Sequence, residues 1–185
     1  MKCMLTSCGL ETKTIADAFL DLLPKAPQKV KALFIPTAAV DPDAIEVLPK
    51  CLGDLLKCGI PRENITVHDL HDPIAGQLSD WFDVVYLCGG NTGYLLRRIN
   101  ERGFRQQLLR FIEENGVVVG VSAGSIIFGQ NLPNNLGLLA CPVDVHCTEE
   151  TREHPGRYDA ARQERIRLGN RQALLWQEGK IVIIE

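Results

Sequence analysis

The sequence predicts an α/β fold, a doubly wound, mostly parallel sheet flanked by helices. Short apolar runs alternate with amphipathic helical patterns along most of the chain, which is typical of such folds. The run Val117–Val121 shows no polar alternation, as expected of a strand buried on both faces. The chain has 185 residues, of which 45% are hydrophobic and 23% charged, without repeats or a low-complexity linker. We therefore expect one domain, residues 1–185.

Each predicted element follows from the spacing of its apolar residues. The predicted strands are Cys3–Thr6, Ala32–Ile35, Ile65–Leu70, Val84–Leu87, Val117–Val121, Val143–Val145, Leu174–Trp176 and Lys180–Ile184. The predicted helices are Lys13–Leu23, Ala44–Lys57, Tyr94–Ile99, Phe104–Glu114, Ala123–Gly129 and Asp159–Leu168. Pro49 leaves open where the regular part of the second helix starts. The last two strands are expected to form a hairpin around Glu178 and Gly179.

Composition narrows the function and the location. The 20 Lys and Arg residues against 23 Asp and Glu give a net charge of -3 without a basic arm, so nucleic-acid binding is not expected. No apolar run approaches the roughly 18 residues of a membrane span, and the amino terminus does not resemble a secretory signal, which indicates a cytoplasmic protein. Seven cysteines without a CxxC pair fit neither a disulfide framework nor a zinc site, so most are expected to be reduced core residues.

The most informative motif is GVSAG at 120–124, a GxSxG sequence between the most apolar predicted strand and a predicted helix. Glycines on both sides of Ser122 permit a sharp, strained turn that exposes the hydroxyl. The amino end of the following helix favours negative charge nearby. We therefore predict that Ser122 is a nucleophile, the alternative being a glycine-rich turn or a helix cap.

A serine nucleophile needs a base, and the sequence offers four histidines. His68 and His71 belong to the polar segment HDLHD, and His154 lies in a charged loop. His146 follows the apolar strand Val143–Val145, at the edge where an open α/β sheet presents its catalytic groups. We predict that His146 is the base.

The pattern leaves open which acidic residue orients this histidine. The candidate acids are Asp144, Glu149, Glu150 and Glu178. Asp144 is two positions from His146 and is poorly placed to reach its far ring nitrogen. Glu178 occupies a tight turn, which would hold its carboxylate rigidly. The resulting order Ser, His, acid differs from that of α/β-hydrolases, which makes an ordinary lipase or esterase a less favoured prediction.

The turn CGGNT at 88–92 follows a predicted strand and is a second candidate feature for acyl transfer. The backbone amides of Gly89 and Gly90 are predicted to bind an oxyanion together with that of Ala123, although a plain helix cap would use the same residues.

The predicted helix Asp159–Leu168 carries Arg162 and Arg165 on one face. Such a pair suits a carboxylate ligand, and a solvated, salt-bridged face is equally consistent with the pattern.

The segments LCGGNTGYLL and GVSAGS, a later strand ending in His146, the ARQERIR segment and the QEG turn resemble the serine peptidase family of aspartyl dipeptidase (peptidase E) and cyanophycinase. The resemblance covers the chain from about Leu5 to Glu178. It implies a class I glutamine-amidotransferase-like fold with serine at the elbow. The chain departs from the family pattern at Cys88, where a glycine is usual, and at Val145, where a proline is common. It also has a short segment between the serine and the histidine.

The resemblance implies a role for each matching residue. Ser122 becomes the nucleophile, His146 the base and Glu178 the acid of a Ser-His-Glu triad. The amides expected at the oxyanion are those of Gly89, Gly90 and Ala123. The expected substrate contacts are Asn91 and Arg162, the latter implying an acidic side chain and hence Asp-X dipeptides. Neither a metal nor an organic cofactor is implied, and a homodimer is expected from the resemblance.

Three functional hypotheses remain open at this stage. The first is a serine-type peptidase that acts on small peptides. The second is a catalytically silent member that binds a small ligand or a protein partner in the same cleft. The third is a cysteine-based activity through Cys8 or Cys147, although Cys147 and His146 are adjacent on a strand and should face opposite ways.

Overall fold

The computed structural model describes residues 1–159 and 165–185. Its strands are β1 (Lys2–Thr6), β2 (Ala32–Ile35), β3 (Ile65–Val67), β4 (Val84–Leu87), β5 (Val117–Val121), β6 (Val143–Cys147), β7 (Gly156–Tyr158), β8 (Ile166–Gly169), β9 (Ala173–Gln177) and β10 (Lys180–Ile184). Its α-helices are α1 (Lys13–Leu22), α2 (Pro42–Lys57), α3 (Leu78–Trp81), α4 (Thr92–Glu101), α5 (Phe104–Glu113) and α6 (Ala123–Ile126).

Eight of the described strands form one mixed sheet in the order β3-β2-β4-β5-β1-β9-β10-β7. The first five are parallel, so their carboxyl ends meet at one edge of the sheet. The strands β9, β10 and β7 are added antiparallel. The strand β9 therefore begins at the edge where β1 and β5 end. Strands β6 and β8 form a separate parallel pair.

Helices cover both faces of the sheet and bury two apolar cores. Helices α1 and α2 pack on one face, with Phe19 and Leu55 fully buried. Helices α4 and α5 pack on the other, with Leu95 and Phe111 buried. Successive residues of a strand enter opposite cores because side chains alternate along it. The predicted α/β fold with a mostly parallel, helix-flanked sheet is confirmed.

The predicted helix Asp159–Leu168 is wrong in its second half, because residues 166–169 form β8 beside β6. Residues 160–164 lie outside the described part of the chain. Within β8, Ile166 and Leu168 are buried while Arg167 is exposed, a two-residue period that fits a strand. Residues 162–167 include five charged or amide side chains, and in the sequence their helix propensity favours a helix over this short alternation.

Three smaller differences concern the bounds and the number of the elements. The helix after Ser122 is only four residues long, and the charged segment predicted as a loop includes the short strand β7. The helix α2 begins at Pro42 and contains Pro49.

Two observations relate to the predicted cellular location, one on the cysteines and one on the helices. All seven cysteines are free thiols, five of them buried. Among the helices of residues 1–159 and 165–185, none combines the length and apolar character that crossing a bilayer requires.

Candidate active site

Ser122 lies at the predicted elbow between β5 and α6. Its backbone has φ 48° and ψ -109°, a conformation that non-glycine residues rarely adopt. The turn is held from the neighbouring strand, where the carbonyl of Thr6 accepts a hydrogen bond from the Ser122 amide at 2.9 Å. The hydroxyl oxygen of the buried Ser125 accepts a hydrogen bond from the Thr6 amide at 2.9 Å. These bonds lock a strained serine at the carboxyl edge of the sheet.

The two glycines of the motif are needed for close backbone packing. A Cβ at Gly120 would lie 2.5 Å from the carbonyl oxygen of Gly124. A Cβ at Gly124 would lie 2.3 Å from the carbonyl oxygen of Leu87 on β4. Because both obstacles are backbone atoms, neither can move away cheaply.

Gly124→Ala should therefore destabilise the protein by about 1–3 kcal/mol, the usual cost of overpacking a tight site. Gly53→Ala is the matched control, since a Cβ at this helical glycine would meet no atom within 4 Å. It should stabilise the fold by roughly 0.5–1 kcal/mol, because alanine favours helix interiors. Urea denaturation of both variants measures the two effects. A urea midpoint of Gly124→Ala equal to that of the wild type would show that the elbow tolerates a methyl group.

His146 reaches Ser122 because its strand is irregular. The pairing of β6 with β8 shifts between Asp144 and Cys147, and His146 within this bulge has φ 58°. A bulge redirects a side chain that a regular strand would point elsewhere. The buried Ser7 fixes the backbone position of His146. Its hydroxyl accepts a hydrogen bond from the His146 amide at 3.1 Å and donates one to the Leu168 carbonyl at 2.9 Å. Sequence patterns do not reveal this role of Ser7.

Both ring nitrogens of His146 have a hydrogen-bond partner. Its Nε2 lies 3.0 Å from Oγ of Ser122, and its Nδ1 lies 2.9 Å from Oδ1 of Asn170. An amide oxygen only accepts hydrogen bonds, so Nδ1 must be the donor. In the neutral ring Nε2 is then unprotonated and can accept the proton of the Ser122 hydroxyl. This is the tautomer that a general base requires.

The third residue beside Ser122 and His146 is Asn170, which precedes β9, and not Glu178. Glu178 follows β9 at the turn to β10, next to Gln177, which pairs with Lys2 at the start of β1. Ser122 follows the opposite end of the same neighbouring strands. A five-residue strand at about 3.3 Å per residue separates the two edges, so the structure does not bring Glu178 to His146.

The glycine turn after β4 lies directly beside the serine. A Cβ at Gly89 would lie 3.1 Å from Cβ of Ser122. Within the described residues, the amides of Gly89 and Gly90 form no hydrogen bond. Gly90 has φ 133° and packs so closely on the carbonyl of Ala38 that a Cβ would lie 2.1 Å from its oxygen. The turn thus presents two free backbone donors near Ser122, and Ala123 starts a helix, where amides lack intrahelical partners.

The structure describes only one of the two residues expected to bind substrate. Asn91 is the N-cap of α4, and its side-chain oxygen accepts the Tyr94 amide at 2.9 Å. Arg165 lies just before β8, outside any helix, and pairs with Asp144 through contacts of 2.8 and 3.0 Å. Arg162 itself lies outside the described residues.

A cavity of about 300 Å³ opens at Ser122. Its wall includes the Cys8 thiol, whose Sγ lies 3.7 Å from Nδ1 of His146. Burial, and then the nearby Glu11, raise the pKa of Cys8, and burial raises the pKa of Cys147. Both groups are therefore held as thiols, the less nucleophilic form, which disfavours a cysteine-based reaction.

A hydroxyl, an imidazole and free backbone donors lie together at a strand-to-helix elbow, the arrangement that is typical of α/β proteins with a serine nucleophile. The chain belongs to peptidase family S51, whose family model matches residues 3–136. Peptidase E from Citrobacter koseri is 28% identical over 149 residues, which are 74% of this chain and 62% of that protein. The chain therefore spans less than two thirds of this relative.

Solved structures share the fold across almost the whole chain. A Listeria monocytogenes EGD-e protein assigned as a peptidase E superimposes with a TM-score of 0.70 at 19% identity, covering 100% of this chain and 98% of that one. A peptidase from an acI-B1 actinobacterium gives a TM-score of 0.65 at 17% identity, covering 99% and 86%. These structures support the fold, whereas the family assignment rests on the family model.

Proposed function

We propose that this protein is a serine-type peptidase that hydrolyses small peptides through an acyl-enzyme. The observation that carries the proposal is the 3.0 Å contact between Oγ of Ser122 and Nε2 of His146. The free amides beside it and the membership of family S51 support the same reaction. The small cavity, at the lower limit of usual ligand sites, favours a dipeptide or another small amide over a folded protein.

In the proposed mechanism, His146 takes the hydroxyl proton while Oγ of Ser122 attacks the scissile carbonyl carbon. The carbonyl oxygen becomes an oxyanion, which the amides of Gly89, Gly90 and Ala123 stabilise. The His146 imidazolium, oriented by Asn170, then protonates the leaving amine as the C–N bond breaks. Water, deprotonated by His146, finally hydrolyses the ester and restores Ser122.

Reaction with a fluorophosphonate tests the proposal, because only an activated serine displaces fluoride from phosphorus at a useful rate. Intact-mass spectrometry should show one adduct on the wild-type protein and none on Ser122→Ala. Ser79→Ala, which removes an exposed serine that donates a hydrogen bond to Glu114, should retain the adduct.

The absence of an adduct on folded wild-type protein would overturn the peptidase proposal. It would instead favour a silent member of the family that binds a ligand in the cleft. Thermal unfolding of the same samples separates an inactive site from an unfolded protein.

A further inference from the structure

The cavity at Ser122 has a second wall that takes no part in the proposed chemistry. Helix α2 contributes Ala44, Val47, Leu48 and Cys51 to it. These positions are spaced i, i+3, i+4 and i+7, so they form one stripe along the helix. The nucleophile therefore faces an apolar helix surface across a cavity of about 300 Å³.

The described part of the chain covers this stripe incompletely. Val47 is 47% exposed although it lines the cavity, and Ala44 and Leu48 are half-buried. Exposed apolar residues gathered in a cleft beside a reactive group are the usual lining of a ligand pocket. An apolar group of a bound substrate would remove this surface from water.

The charges that the described residues bring to the cavity do not suit an acidic ligand. Among the described lining residues, Lys50 is the one lysine or arginine, and it forms an ion pair with Glu11. The hydrogen bond to Glu11 raises the pKa of Lys50, so the ammonium group is both charged and already partnered. A substrate carboxylate would have to displace Glu11 and remain near it.

We propose that this pocket binds an uncharged, apolar side chain of a residue next to the scissile bond, and that it discriminates against aspartate. This inference rests on the proposed peptidase reaction at Ser122. It replaces the Asp-X preference expected from the sequence with a preference for a side chain about the size of leucine, valine or methionine.

Leucine, asparagine and aspartate have side chains of similar size, so they separate polarity and charge from shape. The experiment measures kcat/KM for Leu-Ala, Asn-Ala and Asp-Ala, and for Ala-Leu, Ala-Asn and Ala-Asp. At one of the two positions we expect leucine to exceed aspartate by at least about tenfold. Aspartate equal to or better than leucine at both positions would overturn the inference.

Two variants connect the preference to the pocket. Val47→Ser should reduce the ratio of leucine to aspartate severalfold, because it makes the exposed part of the wall polar. Ile45→Ser is its matched control, since Ile45 is 51% exposed on the same helix and does not line the cavity. Glu11→Gln should also reduce the ratio, because it releases Lys50 for a substrate carboxylate. A ratio unchanged by both Val47→Ser and Glu11→Gln would contradict this pocket assignment.

The failure of this inference can be distinguished from the failure of the peptidase proposal. Fluorophosphonate labelling of Ser122 reports the nucleophile without a peptide side chain, so a labelled enzyme that prefers aspartate overturns only the pocket preference. Calorimetric binding of the same six dipeptides to Ser122→Ala measures the preference without turnover. Tighter binding of the leucine peptide supports the inference even if labelling fails, and tighter binding of the aspartate peptide overturns it.

Discussion

His146→Asn should lower kcat/KM for a cleaved dipeptide by a factor on the order of 10⁴, because it removes the group that accepts the proton of Ser122. The imidazole Nε2 lies 3.0 Å from Oγ of Ser122, and the described residues bring no other imidazole or carboxylate into the cavity lining. Fluorophosphonate labelling should slow as well, because this reaction also requires the activated hydroxyl. Steady-state kinetics and the labelling rate measure the two effects.

Asparagine is the appropriate replacement because His146 has φ 58°. Asparagine tolerates this left-handed conformation better than alanine, so the strand should keep its bulge. His154→Ala is the control, since His154 is an exposed histidine outside the cavity and should leave kcat/KM unchanged. If folded His146→Asn retained more than a tenth of the wild-type kcat/KM, His146 would not be the base.

The features that depend on local pattern were predictable from the sequence. The run Val117–Val121 is a strand with the predicted limits, and it leads directly into the elbow at Ser122. The rule that parallel strands end at a common edge favoured His146 over the other histidines, although β6 pairs with β8 outside the eight-stranded sheet. His146 is close to Ser122, although a bulge and a hydrogen bond to Ser7, absent from any pattern, complete its placement.

The direction of a strand explains why the sequence indicates Glu178, whereas the structure places Asn170 beside His146. The sequence predicts that β9 and β10 form a hairpin, and this is confirmed. It does not state that β9 runs antiparallel to β1. Only this direction puts the residues before β9 beside Ser122 and the turn after β9 at the far edge. A polar residue preceding the first strand of a closing hairpin was the available signal for Asn170.

Asn170→Ala should reduce kcat by a factor on the order of 10², whereas Glu178→Gln should leave it within about twofold of the wild type. Oδ1 of Asn170 accepts the proton on Nδ1 of His146 at 2.9 Å, which keeps Nε2 free for Ser122. Glu178 lies at the opposite edge of the sheet and makes no contact that orients the ring. Because both residues are exposed, neither change should disturb folding, and parallel kinetic assays compare them directly.

The variant Asn170→Asp distinguishes a role of Asn170 in positioning the imidazole from a general structural role. The introduced carboxylate can still accept the Nδ1 proton, so activity should be retained. Its negative charge also stabilises the imidazolium, which means that a higher pH is needed to leave His146 neutral and able to act as a base. The rising limb of the kcat/KM profile should therefore move to higher pH relative to the wild type. An unshifted limb, or a loss in Glu178→Gln as large as that in Asn170→Ala, would show that Asn170 does not position the base.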